Sequence, residues 1–402
     1  GGGGARAQDL TPMPRCVPHS LLLQQLIACL VCAFAQLPTE GQASVNASTI
    51  SRILDASIDY PPGFDAATFW QPMTVDASIP RMNETMLQAV RYLASRPNDT
   101  PGGGATDFEA IDAVYHFFCR NRGGVALELG GLDGMFHSET LVASKLIPGL
   151  RRLIVDGNPQ HRERRRRLAR AHGNVVGVQA AICDQGGRVV HYAHHRNEVV
   201  SGILEFMDDS HLRRFFTPFW KDLQKWGAWE RVAWASARPR AQYKIEEVVC
   251  LPLQLILDRV GLRHIDFAII DTEGAELAVL KTLDLRRTGV DVLVVENDQA
   301  LRAPGFSNAL RQVVETGTGG EARTHDVVWA NRGRNMWFKA RRRAGSTFVP
   351  QPCEQQAGLD VPRFVPASPL GRLYKTAYVE TALQADSCIR NLCGMRAGPK
   401  SK

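Results

Sequence analysis

An apolar run that ends abruptly in carboxylates is the feature that most constrains the fold of this chain. Residues 267–270 are apolar, and Asp271, Glu273 and Glu276 follow directly. Such a run predicts a strand buried on both faces, as in a parallel sheet. In open α/β sheets, ligands bind beyond the carboxyl ends of the strands. The pattern therefore places three acids at a ligand site, where Gly274 allows a close backbone approach.

Apolar strands and helical patterns alternate from residue 125 onward, and this alternation predicts an α/β fold with a parallel sheet. The strands are expected at 125–129, 152–155, 175–182, 266–270 and 290–296, with a closing antiparallel pair at 325–330 and 335–338. The helices are expected near 138–147, 160–172, 251–261, 274–283 and 307–316.

A second pattern of an acid and glycines follows the strand at 125–129. Glu128, Gly130 and Gly134 have the spacing E-x-G-x-x-x-G, which differs from the dinucleotide fingerprint G-x-G-x-x-G. Asp156 ends the next strand, 22 residues after Gly134. Nucleotide-binding α/β units place a ribose-binding acid at about that distance. The E-x-G-x-x-x-G spacing resembles the first loop of class I S-adenosylmethionine methyltransferases.

Together these segments resemble the FkbM-type methyltransferase family. The matching pieces, in family order, are ELGGLDG at 128–134, SET at 138–140, LIVDGNP at 153–159, AAICD at 180–184, SGI at 201–203, IDFAIIDTEGAELAVLKTLD at 265–284 and VLVVEN at 292–297. Asp156 stands where the family often has Glu, and Glu139 where relatives often carry Asn. The resemblance implies a Rossmann-like class I methyltransferase fold, a mostly parallel seven-stranded sheet with helices on both faces. It also implies methyl transfer from S-adenosylmethionine to a hydroxyl of a glycan or other polyhydroxylated small molecule.

The residues expected to bind S-adenosylmethionine follow from this resemblance. They are Glu128, Gly130, Gly131, Asp133, Gly134, Asp156, Gly157, Asn158, Ala181 and Ile182. The glycine loop would approach the methionyl and ribose portions, and Asp156 would accept the ribose hydroxyl protons. Gly157 and Asn158 would border the adenine, with the turn after 181–182 on its other side. Plain turn glycines at 130 and 134, and a helix cap at Asn158, are the alternatives.

The catalytic residues are expected among the strand-end acids Asp271, Glu273 and Glu296. An alcohol needs a general base as its proton leaves, and a carboxylate in hydrogen-bond reach suits this role. The same oxygens suit a divalent cation as an alternative, although no pattern indicates a metal. Glu276 has the alternative reading of an acid favoured by a helix N-terminus. His325 is a further candidate base.

The N-terminal part of the chain has the features of a targeting segment. Residues 21–35 are largely apolar, too short for a comfortable transmembrane helix, and end in the A-x-A sequence at 33–35. Three glycosylation sequons follow, at Asn46, Asn83 and Asn98. We therefore expect the secretory lumen or secretion. A cytoplasmic or organellar location is the alternative.

The cysteine content agrees with a secretory location. Six cysteines follow residue 35: Cys119, Cys183, Cys250, Cys353, Cys388 and Cys393. An even number permits disulfides, and Cys388 and Cys393 are close enough to be joined locally. Buried free thiols are the alternative.

The domain boundaries follow changes in composition. We expect a signal peptide at 1–35, a polar, glycosylatable and loosely packed lead-in at 36–105, a methyltransferase domain at 106–340 and a basic C-terminal extension at 341–402. An aromatic insertion at 196–243 interrupts the alternation, and its side chains either fill a core or stack on an acceptor sugar.

The net charge of +7 owes much to the arginine-rich run at 161–172. A solvated helix face is the expected reading, and attraction of an acidic polymer is the alternative. Nucleic acid is not an expected partner, because the aromatic and glycine signature of an RNA-binding sheet is absent. A nicotinamide-dependent oxidoreductase and a non-catalytic binding module are the competing functions. The oligomeric state is not predicted.

Overall fold

The secondary structure is known for most of the chain between residues 46 and 353. The structure, a computed structural model, describes residues 46–79, 81, 109–226, 244–301, 305–316, 324–330, 335–341 and 349–353. Several features expected from the sequence lie outside these residues. They are the signal peptide, the sequons at Asn83 and Asn98, Trp229, Trp234, the pair Cys388 and Cys393, and most of the C-terminal extension.

The strands of the described residues, in chain order, are β1 (Ile58–Asp59), β2 (Thr74–Val75), β3 (Asn121–Arg122), β4 (Val125–Leu129), β5 (Arg151–Asp156), β6 (Val175–Gln179), β7 (Ala181–Ile182), β8 (Val189–His194), β9 (Gly202–Ile203), β10 (Lys244–Leu251), β11 (His264–Ile270), β12 (Gly289–Glu296), β13 (His325–Ala330) and β14 (Asn335–Ala340). The α-helices are α1 (Ala47–Ser57), α2 (Ala66–Phe69), α3 (Glu109–Phe117), α4 (Glu139–Leu146), α5 (Arg162–Ala171), α6 (Asp209–Phe215), α7 (Thr217–Trp226), α8 (Leu253–Arg259), α9 (Glu276–Lys281) and α10 (Phe306–Thr316).

The main sheet has eight strands in the order β1-β6-β5-β4-β11-β12-β14-β13. The five strands from β6 to β12 in this order run parallel, and β14, β13 and β1 are antiparallel to their neighbours. The expected Rossmann-like α/β fold is therefore confirmed, and β1 adds an eighth strand at one edge. The expected strand at 175–182 is divided, because β7 leaves the main sheet for a second sheet of order β7-β10-β8-β9.

Helices cover both faces of the main sheet, as expected. On one face, Leu127 and Leu293 pack in a core that includes residues of α8, α9 and α10. On the other face, Ala126 and Val292 pack in a second core with α3 and α4. Successive strand residues point to opposite faces, so a strand buried on both faces is apolar throughout.

The segment before the catalytic domain differs from the loosely packed lead-in that its composition suggests. Leu54 of α1, Ile58 of β1 and Phe69 of α2 are buried in the main core. The physical reason is the spacing of Ile50, Ile53 and Leu54, which places apolar side chains on one face of α1. Residues 46–79 are therefore an integral layer of the domain.

The insertion builds its own small core, and two disulfide bonds join other parts of the described chain. Phe216 and Phe219 are buried with other apolar side chains of the insertion, so these two aromatic residues fill a core. Cys183 is joined to Cys250, which ties β10 to the turn after β7. Cys119 is joined to Cys353 across 234 residues of chain. None of the described helices is long and apolar enough to cross a membrane.

A histidine lies between two buried carboxylates at the amino ends of β11 and β12. Nε2 of His264 lies 3.5 Å from Oδ1 of Asp266 and 3.0 Å from Oδ2 of Asp291. Hydrogen bonds that His264 donates to Asp266 and Asp291 raise the pKa of His264 to about 10. The three side chains also bring their polar atoms within 4.8 Å of one another, a spacing that suits a cation. This group occupies the edge of the sheet opposite the strand ends that carry Asp271 and Glu296.

We expect the free energy of unfolding to depend on His264 in the alkaline range. Because folding raises the pKa of His264, its contribution is fully present below about pH 6.5, the unfolded value, and is lost as pH rises towards about 10. The side chain is 46% exposed, so solvent screening keeps the effect small. Urea unfolding of the native protein and His264→Gln should give stability curves that converge between pH 6.5 and 10. If the two curves stay parallel, His264 does not form ion pairs with Asp266 and Asp291. If the stability curve of the native protein changes on adding zinc, the three side chains form a metal site instead.

Candidate active site

A cavity of about 550 Å³ opens at the carboxyl ends of β4, β5, β11 and β12. This volume lies in the range of small-molecule sites, roughly 300–1,000 Å³. Of the residues predicted from the sequence, eight line it: Gly130, Asp156, Gly157, Ala181, Ile182, Asp271, Glu273 and Glu296. The cavity therefore joins the predicted cofactor segments and the predicted catalytic acids in one space.

Gly130 lies where the loop after β4 touches the loop after β11. Its φ is +85°, and a Cβ atom at this position would lie 1.6 Å from the carbonyl oxygen of Asp271. No side chain can occupy that space, so the residue must be glycine for the loops after β4 and β11 to touch. The backbone N–H of Asp271 donates to the carbonyl of Leu129 at 3.1 Å and fixes the contact.

Asp156 is buried at the end of β5 and is held by several donors. Its Oδ2 accepts from the N–H of Leu132 at 2.9 Å, and its Oδ1 accepts from the N–H of Asn158 at 2.7 Å. Arg165 of α5, itself only 1% exposed, lies 3.3 Å from Oδ1. Burial raises the pKa of Asp156, while Arg165 and the two backbone donors act against this rise. Oδ1 therefore has two partners, whereas Oδ2 has one and keeps a further lone pair that can face the cavity.

An apolar slot lies beside Asp156. Gly157, Ala181, Ile182, Tyr192 and Ile203 line it, and Cβ at Gly157 would lie 3.5 Å from the Tyr192 ring. Tyr192 is buried in β8 and was not predicted, because nothing in the sequence brings β8 next to β5. Apolar side chains of this kind suit a heterocyclic base.

Five predicted cofactor residues do not line the cavity and instead shape its loops: Glu128, Gly131, Asp133, Gly134 and Asn158. Glu128 accepts from the hydroxyl of Ser138 at 2.6 Å and from the N–H of Glu139 at 2.8 Å. Asp133 accepts from the N–H groups of Met135 and Phe136. Asn158 accepts from the N–H of Gln160, so it acts as the helix cap that its sequence allowed. Contact of these five residues with a cofactor stays a prediction.

The other half of the cavity is rimmed by carboxylates. Asp271, Glu273, Glu296 and Asp298 line it, and burial together with the charges of Asp271, Glu276, Glu273 and Asp298 raises the pKa of Glu296 well above its usual value. Glu276 does not line the cavity. Its Oε1 accepts from the N–H and hydroxyl of Thr272 and from the N–H of Gly274, so it shapes the loop after β11.

Further polar residues on this side were not predicted from the sequence. The cavity wall opposite the apolar slot includes Glu109, His137, Glu139 and Asn335. Glu139 accepts from the N–H of Ala110 at 3.0 Å, and Glu109 accepts from the side-chain amide of Asn335. Only the resemblance at SET, residues 138–140, gave a signal in this region.

The candidate base His325 is not part of the cavity. Its Nε2 lies 2.7 Å from the carbonyl of Val290, and its Nδ1 lies 3.0 Å from the hydroxyl of Thr324. The side chain is 2% exposed and joins β13 to β12. A structural role therefore accounts for this histidine.

Backbone strain is concentrated at the cavity. Leu132, His137 and Glu273 have φ values of 47°, 51° and 53°, and they are the non-glycine residues with positive φ in the described chain. All three line the cavity. Residues other than glycine adopt this region at a cost of about 1–3 kcal/mol, which the surrounding structure must offset. Such residues cluster at functional sites.

The fold thus places one cavity beyond the carboxyl ends of the parallel strands, with a buried acid on one side and a rim of carboxylates on the other. Residues 130–313 match the family described as the methyltransferase FkbM domain. The chain therefore carries an FkbM methyltransferase domain, and it is an enzyme of the S-adenosylmethionine-dependent methyltransferase class. The family resemblance drawn from the sequence is confirmed.

The comparisons with individual proteins add little to this. No curated protein matches the chain significantly. Among solved structures, it is similar to precorrin-6y C5,15-methyltransferase from Geobacter metallireducens GS-15, with 12% identity over 67% of this chain and 94% of that one. The TM-score is 0.25, so the likeness carries no argument.

We expect Asp156→Asn to weaken S-adenosylmethionine binding by about ten- to a hundredfold, or about 1.5–3 kcal/mol, because the amide loses charge and one acceptor oxygen. Alanine is unsuitable here, since removing the partner of buried Arg165 would cost about 3–5 kcal/mol of stability. Calorimetric titration measures the affinity. Asp59→Asn is the matched control, because Asp59 lies 3.8 Å from Arg166 of the same helix outside the cavity. Equal affinities of the two variants would remove Asp156 from the cofactor site.

Proposed function

We propose that the protein transfers a methyl group from S-adenosylmethionine to a hydroxyl of a glycan or other polyhydroxylated acceptor. One observation carries the proposal. A single cavity has a buried acid beside an apolar slot at one end and a wall of carboxylates and an amide at the other.

The first end fits the cofactor. Asp156 presents the remaining lone pair of Oδ2 to a ribose hydroxyl, and the slot formed by Gly157, Ala181, Ile182 and Tyr192 takes the adenine. The backbone of Gly130 lines the cavity and offers a surface for the methionyl portion. Bound there, S-adenosylmethionine supplies an electrophilic methyl group.

The second end fits an acceptor with several hydroxyls. Glu109, Glu139, Asp298 and Asn335 supply hydrogen-bonding groups around the cavity wall. Carboxylates accept hydrogen bonds from hydroxyl groups, and the Asn335 amide offers both donor and acceptor atoms. A polyhydroxylated molecule satisfies such a wall better than an apolar one, because buried polar groups left unpaired cost free energy.

Glu273 is assigned as the general base and Glu296 as an uncharged partner. The acceptor oxygen forms a bond to the methyl carbon, the carbon–sulfur bond breaks, and the hydroxyl proton passes to the Glu273 carboxylate. Glu296 has a raised pKa, so its protonated form can donate a hydrogen bond to the acceptor. Two neighbouring acids with opposed protonation are a common basis for acid–base assignment.

The disulfides support the proposal of a secretory location. Cys119–Cys353 and Cys183–Cys250 join four of the six cysteines that follow residue 35. Stable disulfides are typical of oxidising compartments and rare in the cytosol. Asn46, the described sequon asparagine, caps α1 and is exposed.

We expect Glu273→Gln to lower turnover by about 10²–10⁴-fold, the usual cost of losing a general base. Affinity for S-adenosylmethionine should change by less than about tenfold, or 1.4 kcal/mol. The assay measures transfer of isotopically labelled methyl groups to a lumenal glycan extract, and titration with NAD serves as the negative control.

Asp271→Asn is the matched variant for this experiment, because Asp271 lines the same rim two residues away. Full turnover of both variants would contradict a catalytic role for the segment. Loss of activity with a chelator, restored by Mg²⁺ or Mn²⁺, would assign these oxygens to a cation instead.

We expect the protein expressed with its N-terminus in a eukaryotic secretory cell to begin near Gln36 and to lose mass with an N-glycosidase. Peptide mapping without reduction should recover Cys119 linked to Cys353 and Cys183 linked to Cys250. Reduction should lower the free energy of unfolding by about 2–4 kcal/mol per bond. An intact N-terminus with free thiols would place the protein in the cytosol.

A further inference from the structure

The insertion packs directly on the loop that carries Glu273. Gly274 has a φ of +116°, and a Cβ atom there would lie 2.6 Å from the carbonyl oxygen of Phe206. A Cβ atom at Gly202 would lie 3.4 Å from Cβ of Glu273. The loop after β11 and the segment from β9 to α6 therefore interlock, and the insertion fixes the position of Glu273.

One histidine of the insertion reaches the Glu273 carboxylate. His211 of α6 is 7% exposed, and its Nδ1 lies 3.4 Å from Oε2 of Glu273. Its Nε2 lies 3.0 Å from the carbonyl oxygen of Val200. A carbonyl and a carboxylate both accept hydrogen bonds only, so each ring nitrogen faces an acceptor. The form of histidine that donates from both nitrogens is the imidazolium cation.

A positive charge on His211 offsets the negative charges of the carboxylates around Glu273. Asp271 and Glu276 belong to the same loop as Glu273, Glu296 and Asp298 follow β12, and Tyr192 approaches from β8. Closely spaced carboxylates cannot all ionise, and one of them takes up a proton. Glu296, whose charge four other carboxylates oppose, has its pKa raised. Glu273 differs from Glu296 in having an imidazole ring against its carboxylate.

We propose that His211 is a positioning residue that keeps Glu273 ionised and aimed into the cavity. This role rests on the proposed function, in which Glu273 takes the acceptor proton. The proton leaves the hydroxyl for Glu273 as the methyl group is transferred, and it then passes to solvent. The imidazolium keeps its own two protons throughout, so His211 acts through Glu273 and exchanges no proton with the acceptor. The insertion thereby completes the active site.

A nuclear magnetic resonance titration tests the pair without any acceptor. The full-length protein is labelled at histidine, and the His211 signal is assigned by its absence in His211→Gln. We expect the pH midpoint of this signal to fall by at least one unit in Glu273→Gln, because the imidazolium loses its carboxylate partner. An unmoved midpoint overturns the proposal. This measurement does not depend on methyl transfer. It therefore tests the pairing of His211 with Glu273 even if the proposed function is wrong.

The pH dependence of turnover tests the catalytic consequence. In His211→Gln, the acidic limb of kcat should move to higher pH by at least one unit, because Glu273 then protonates more readily. The KM for S-adenosylmethionine should change less than threefold. A structural role would instead lower kcat by the same factor at every pH, and that result overturns the proposal. Labelled methyl transfer to the glycan extract supplies the rate.

His195→Gln is the matched control. His195 directly precedes the insertion, and its ring lies 5.5 Å from the ring of Phe216, an insertion residue that His211 also contacts. It does not line the cavity. Its removal should leave the acidic limb in place. A shift as large as that of His211→Gln would show that any loosening of the insertion has this effect and would overturn the specific role. If Glu273→Gln keeps full turnover, the proposed function fails while the titration still reports on the pair.

Discussion

The contact between Gly130 and the carbonyl of Asp271 is the constraint on which the active site depends. β4 and β11 are parallel neighbours in register, with Leu129 beside Ile270, so the chain leaves both strands at the same level. The loops that follow must then share the space above the sheet. A glycine at 130 lets them touch, and the backbone bond from Asp271 to Leu129 fixes their separation. The cofactor side and the acid side lie in one cavity for this reason.

The acids of the described loops fall into two groups, those that hold the loop backbone and those that line the cavity. Glu128 and Glu276 are buried, and each accepts hydrogen bonds from backbone and hydroxyl groups of a neighbouring loop segment, which follows Glu128 and precedes Glu276. A buried carboxylate is tolerated where several donors satisfy it. These two residues therefore shape the loops. Asp271 and Glu273 have the same chemistry but line the cavity.

The sequence predicted the strands and helices of the domain because local residue patterns specify them. β4 begins and ends where its apolar run does, and β12 and α10 extend only one residue beyond the expected bounds. Acids at strand ends and glycines with positive φ are equally local signals. The strand at 175–182 was predicted as one element because its residues are apolar apart from Gln179. The division after Gln179 comes from tertiary structure, since Ala181 and Ile182 pair in parallel with Cys250 and Leu251 of β10 in the second sheet.

The rest of the site depends on contacts that sequence spacing does not reveal. His211 and Tyr192 reach the cavity region through the second sheet and the insertion, whose register against the main sheet has no local signature. The sequence also does not show which way a loop acid points. Glu128 and Asp133 fit the spacing of cofactor ligands, yet their oxygens are engaged by neighbouring backbone N–H groups.

Strain at the cavity explains why so many contacts converge on its loops. A residue such as Glu273 adopts a positive φ only where surrounding interactions over-determine it. Glu276 supplies three hydrogen bonds within the loop, the interlocked Gly274 prevents its displacement, and His211 holds the Glu273 carboxylate. These interactions come from three different parts of the chain. The orientation of a single side chain at the cavity thus depends on the strand end, the following helix and the insertion together, which is why the segment DTEGAE alone specifies a site but not its geometry.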